Sequence, residues 1–158
     1  MDPRAKVTTA ELQQDFATTY RIFSVSLQSR RALAELGSVK DQLTKNSFSN
    51  PQIAQQQKAL LASIDAIASG TGANLGLDQA NSEITSALNV AESSDRTIPS
   101  QAIQVYSEAS VASTLRIKEW AALKQGALAQ FNQQLTREKL APIAISAIEH
   151  EVYVLMTQ

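Results

Sequence analysis

Glycine and proline are scarce in this chain and fall at few places. Five glycines and four prolines are spread over 158 residues. They stand at positions 3, 37, 51, 70, 72, 76, 99, 126 and 142. Between them run long stretches with no residue that opposes a helix. Glycine and proline are the two residues that cost most inside one. The stretches are rich in helix formers and small residues, with 24 Ala, 17 Ser and 16 Gln. Aromatic residues make up only 5%. The expectation is an all-α fold of long helices, with Ala and Ser on inward faces letting them approach closely.

The breaks divide the chain into four helices. Thr8 and Glu11 have the spacing of a capping box, and Val7 and Leu12 that of the hydrophobic staple around it. Leu12, Phe16, Tyr20, Phe23, Leu27 and Arg31 or Ala34 recur at steps of three and four, which predicts one helical stripe. Leu36, Val39 and Leu43 continue it after a phase shift near Gly37. The first helix is therefore read over 8–46, roughly 58 Å at about 1.5 Å per residue. Asn50 as N-cap and Pro51 at the first helical position open a second helix over about 51–69. Gly70, Gly72 and Gly76 follow, and 70–77 is read as the most flexible internal loop.

A third helix runs from about Asp78 to Glu92. A fourth starts near Pro99 and ends around Glu138, before Pro142. Its seam is read as Ile103, Tyr106, Ser110, Ser113, Ile117, Trp120, Lys124, Ala127 and Phe131, flanked by Leu128 and Leu135. Short connections favour antiparallel neighbours. The expected architecture is an up-down bundle of about four helices over 8–143. The first and last helices are long, and the middle two share their length. Residues 144–158 form a C-terminal tail. Ile145, Ile148, Val152 and Leu155 fit a helix, and residues 152–155 also fit a short strand.

Composition excludes several function classes. There is no cysteine, hence no disulfide framework, thiolate metal site or thiol nucleophile. Fourteen Lys and Arg stand against fifteen Asp and Glu, which is no nucleic-acid footprint. No apolar run reaches the roughly 18 residues of a membrane span. No signal peptide is read within the chain. His150 is the one histidine, and a metal site needs several converging ligands. It is read as an ordinary surface or tail residue. The glycines at 70, 72 and 76 lack the Gly-Lys-Ser/Thr ending of a phosphate loop. No catalytic, cofactor-binding or metal-binding residue is assigned, and no cofactor is expected. Three residues remain as candidate interface positions: Arg30, Arg31 and Trp120. The arginines also fit a solvated face with stems over apolar surface. Trp120 shares a face with Ile117 and Phe131 and so also fits the core.

Two stretches carry a resemblance. The first opens with Met1-Asp2-Pro3-Arg4-Ala5-Lys6-Val7 and later has Leu36-Gly37-Ser38-Val39-Lys40-Asp41-Gln42-Leu43. The second runs from Leu75-Gly76-Leu77 through Leu88-Asn89-Val90-Ala91-Glu92 to Trp120-Ala121-Ala122-Leu123-Lys124 and Leu140-Ala141-Pro142-Ile143. Together they resemble the C-terminal helical region of large bacterial proteins built on sortilin-like β-propellers. Those proteins carry BNR (Asp-box) repeats and are often labelled glycosyl hydrolase or sialidase-like. The resemblance implies that residues 1–7 end a preceding β segment or linker. It implies a parent protein that is secreted or periplasmic, with its ligand site on the propeller and none here. The chain would be a non-catalytic accessory domain whose partner is the propeller or β-domain of its own parent. The alternative is a free-standing helical interaction or signalling domain.

Overall fold

The computed structural model describes residues 8–72, 74–93 and 97–145. Residues 1–7 and most of the tail, with His150, lie outside them. Within them the chain is all-α apart from one small hairpin. Helix α1 is Thr9–Lys45, α2 is Pro51–Ser69, α3 is Leu77–Ser93 and α4 is Ser100–Leu123. A π turn, Lys124–Leu128, carries α4 into α5, Ala129–Arg137. Strands β1, Gly70–Thr71, and β2, Asn74–Leu75, pair antiparallel between α2 and α3.

The caps form as their residue types dictate. Glu11 N–H donates to Thr8 Oγ1 at 3.3 Å, and Thr8 N–H donates to Glu11 Oε2 at 2.7 Å. The bond from the Thr8 backbone holds the Glu11 carboxyl below its ordinary pKa. Asn50 Oδ1 accepts from Gln52 N–H at 3.0 Å, with Pro51 at the first helical position.

The buried line of α1 differs from the stripe read in the sequence. It is Ile22, Ser26, Ser29, Ala32, Leu36, Val39 and Leu43, in unbroken steps of three and four. No phase shift occurs at Gly37. Leu12, Phe16 and Tyr20 are exposed instead, and the seam runs through Ile22 and Ser26 rather than Phe23 and Leu27. The physical reason is close approach. The Ser29 and Ser113 hydroxyls are 2.6 Å apart, fully buried between α1 and α4. Large rings on that line would hold the helices apart.

Side-chain pairs between α1 and the last rod rise together in number. Ser29 meets Ser113, and Glu35 meets Trp120 and Lys124. The two rods therefore point the same way. Two apolar clusters lie along them. One joins Ile22 of α1 to Ile84 and Ala91 of α3, Ile98 and Ala109. The other joins Leu36, Val39 and Leu43 to Ile53, Leu60 and Ile64 of α2, and to Trp120, Leu128, Phe131 and Leu135. Phe48 meets Phe131 edge to face, ring centres 5.8 Å apart.

The segment between α2 and α3, read as the most flexible loop, is a bonded hairpin packed on α4. Gly70 lies opposite Leu75 and Thr71 opposite Asn74. Arg116, 6% exposed, donates from Nε to the Leu75 carbonyl at 2.9 Å and from Nη1 to Glu119 at 2.7 Å. Those bonds satisfy a guanidinium that would otherwise be costly to bury. The loop is pinned from below by a charged side chain that sequence periodicity gave no reason to place inside.

In α4 the buried residues are Ala109, Ser113, Arg116 and Trp120, and the line resumes at Leu128, Phe131 and Leu135. Ile103 is exposed, and so is Ala127, which a constant α count places inward. The π turn widens the helix at this point, and Leu128 rather than Ala127 carries the buried line on to Phe131 and Leu135.

Helix α5 stops at a left-handed residue. Lys139 has φ 60°. Lys139 N–H donates to the Thr136 carbonyl and Leu140 N–H to the Leu135 carbonyl, the paired bonds of a Schellman ending. Glycine is the usual residue there, because a Cβ in this conformation costs about 1–2 kcal/mol. Lys139→Gly is expected to raise stability by about 0.5–1 kcal/mol after the entropy glycine adds to the unfolded chain. A thermal melt should move up by roughly 1–4 °C. An unchanged or lower midpoint would show that the lysine stem offsets the backbone strain.

Candidate functional site

The three interface candidates do not form one site. Arg30 and Arg31 are exposed on α1. Trp120 is 2% exposed, inside the cluster that α1, α2 and α4 share. Its indole N–H donates to Glu35 Oε2 at 2.8 Å, and Lys124 Nζ donates to the same oxygen at 2.6 Å. Lys124 also sits 5.4 Å from the centre of the indole ring, in cation–π range. Trp120 thus presents no surface to a partner in this arrangement, and its core place is the one it occupies.

Glu35 is the residue that sequence reading passed over. One carboxylate holds a tryptophan and a lysine from the facing rod. Partial burial pushes its pKa up, but the bonds from Lys124 and Trp120 and the charges of Lys124 and Arg31 prevail, leaving it below the ordinary value. A depressed carboxyl contributes stability that is present above its unfolded pKa and lost as pH falls through the folded one. Thermal melts compared between neutral and acid pH should therefore show a larger loss for the parent chain than for Glu35→Gln, which cannot lose a charge. Equal losses would mean the ion pair carries no net weight. The pair is about a quarter exposed on both sides, so the difference is expected to stay near 1 kcal/mol or less.

Chemistry beyond packing is sparse. Among the described residues, no group of three or more His, Cys, Asp or Glu is placed to hold a metal. A shallow cleft of about 140 Å³ lies where α2 faces the π turn and α5, lined by Gln56, Ala59, Ser63, Ala127 and Phe131 among others. No helix of the described residues is long and apolar enough to cross a membrane.

The conspicuous surface feature is on the first third of α1. Leu12, Phe16 and Tyr20 stand at successive steps of four, which places them on neighbouring turns of one helix face. Phe16 is 75% exposed and Tyr20 64%. Only with Ile22 does α1 enter a core cluster. A second, shorter apolar pair, Val111 and Leu115, lies on the outer face of α4 beside Lys118. No family model, curated protein or solved structure matches the chain.

Proposed function

We propose that this chain is a non-catalytic helical interaction domain whose partner surface is the Leu12, Phe16 and Tyr20 row on α1. The observation that carries the reading is three large apolar side chains in register, on a stretch of helix with no buried apolar residue of its own. Exposed apolar surface gathered in one place marks an interaction site more often than scattered apolar residues do. In this reading the bundle is a rigid mount. Two long rods run side by side, and α2 and α3 return between them end to end, an up-down arrangement supported by the pairings of Ser29 with Ser113 and of Glu35 with Trp120 and Lys124. The resemblance in the sequence supplies the partner: a β-propeller or β-domain of the same parent chain, secreted or periplasmic. Any catalysis belongs to that partner, and the purified chain hydrolyses no aryl glycoside.

The test compares the chain alone with the chain joined to whatever its reading frame encodes ahead of Met1. Hydrogen exchange of residues 12–20 should slow in the longer protein. Phe16→Ser with Tyr20→Ser should abolish that protection while leaving the melt of the isolated chain within roughly 2 °C, as exposed substitutions do. Unchanged exchange in the longer protein, or the lack of any such upstream sequence, overturns the propeller partner.

A further inference from the structure

The segment after α5 is held in an unusual way. Asn132 Nδ2 donates to the Ile143 carbonyl at 3.0 Å, and Ile143 N–H donates to Asn132 Oδ1 at 2.8 Å. Gln42 Nε2 donates to the Ala144 carbonyl at 2.7 Å, and Ala144 N–H donates to Gln42 Oε1 at 2.9 Å. Two side-chain amides, one on α5 and one on α1, each clasp both main-chain groups of one residue. A primary amide offers a donor and an acceptor side by side, matching a residue's C=O and N–H. Such clasps read backbone and not side chain. Selection comes from Ile143 alone, which is 4% exposed and belongs to the core cluster with Leu43, Phe131 and Leu135. Ala141, Pro142 and Ala144 are exposed. The strap 140–145 therefore sits in its groove as a short bound peptide does, with one apolar knob and paired main-chain bonds. Its root is the left-handed Lys139.

We infer that this groove is a peptide seat that can be filled in trans, and that its partner is the same strap of a second copy. The structure itself shows the fit of residues 140–145 to the groove, and an identical chain brings an identical strap. Every strap–groove bond is kept in the exchanged pair, so the balance rests on the hinge and on concentration. Short hinges under strain favour exchange, and straightening the chain at Glu138 and Lys139 relieves the positive φ. Each groove in the exchanged dimer is complete only with the other copy's Ile143. This surface lies at the opposite end of α1 from the Leu12, Phe16 and Tyr20 row, and the inference does not rest on that reading.

The absence of cysteine makes the test clean. Asp41→Cys marks the groove beside Gln42, and Ala144→Cys marks the strap; both positions are exposed. The two single variants, one of them ¹⁵N-labelled, are mixed at high concentration, warmed below the melt and treated with a short bismaleimide. Cross-linked species containing one copy of each variant should form at least fivefold above a control pairing of Gln101→Cys with Ala144→Cys. Adding Ile143→Asp to the strap variant should return the yield to the control level, and Lys139→Gly should reduce it. Cross-linking at the control level, or cross-linking that survives Ile143→Asp, overturns strap exchange.

Discussion

Replacing Trp120 with alanine is expected to lower the melting temperature by roughly 10 °C or more. Trp120 is fully enclosed by residues of α1, α2 and α4. Truncating such a ring typically costs about 3–5 kcal/mol, out of a total of about 5–15 kcal/mol for a domain. In a domain of this size about 1 kcal/mol moves the midpoint by roughly 2–4 °C. The substitution also takes away the N–H that Glu35 Oε2 accepts, leaving that oxygen with Lys124 alone. Trp120→Phe separates the two effects. It keeps most of the apolar area and loses the donor, so its cost should fall near 1–2 kcal/mol. Trp120 is the sole tryptophan, so native emission reports on this site alone. It should be blue-shifted and poorly quenched by iodide. Exposed-type emission together with an unshifted alanine melt would mean that the two rods do not meet here.

Gly76→Ala should be nearly as damaging, for the opposite reason. A Cβ on Gly76 would lie well inside 3.0 Å of main-chain atoms of Ala68, Ser69 and Gly70. A Cβ on Gly70 would meet Asn74, Leu75 and Gly76 in the same way, and Gly70 has φ 82° besides. The obstructing atoms are backbone, so no rotamer change clears them. Overpacking of this kind costs about 1–3 kcal/mol and occasionally more, and here it also pries Leu75 from Arg116. A midpoint drop of roughly 5–10 °C is expected. Gly37→Ala is the matched control. It lies within α1 with open space where the methyl would go, so it should gain about 0.5–1 kcal/mol. If Gly76→Ala melts like the parent, the hairpin is not the fixed joint described above.

Some of this was legible in the residues. Thr8 with Glu11, Asn50 with Pro51, and the glycines after Ser69 mark helix ends by local chemistry alone, and those ends fall where the types demand. The inward face of α1 was not legible. Its buried line contains Ser26, Ser29 and Ala32, residues that a hydrophobic count scores no differently from surface. Phe16 and Tyr20 scored higher and stand in water. Ser113, Trp120 and Phe131 were read inward correctly because a three-four count passes through all three. Ala127 lies on the same count but is exposed, with Leu128 buried beside it. Arg116 and Glu35 went unseen because long-range satisfaction leaves no mark in periodicity. The clasps made by Gln42 and Asn132 are likewise long-range. Both look like ordinary polar helix residues until the strap folds back over them.

The five-residue turn at Lys124–Leu128 has a bearing on ancestry. A π turn behaves as an α turn into which one residue has been inserted, the surplus bulging locally. Everything after it keeps its bearing on the rest of the bundle. The last rod can therefore change length by one residue at this point without rotating Leu128, Phe131 and Leu135 away from their neighbours. Descendants of a common ancestor could differ by a single gap here and share every buried position on either side. An alignment that forbids gaps within helices would then shift the whole segment beyond Gly126 by one and score true kinship as noise.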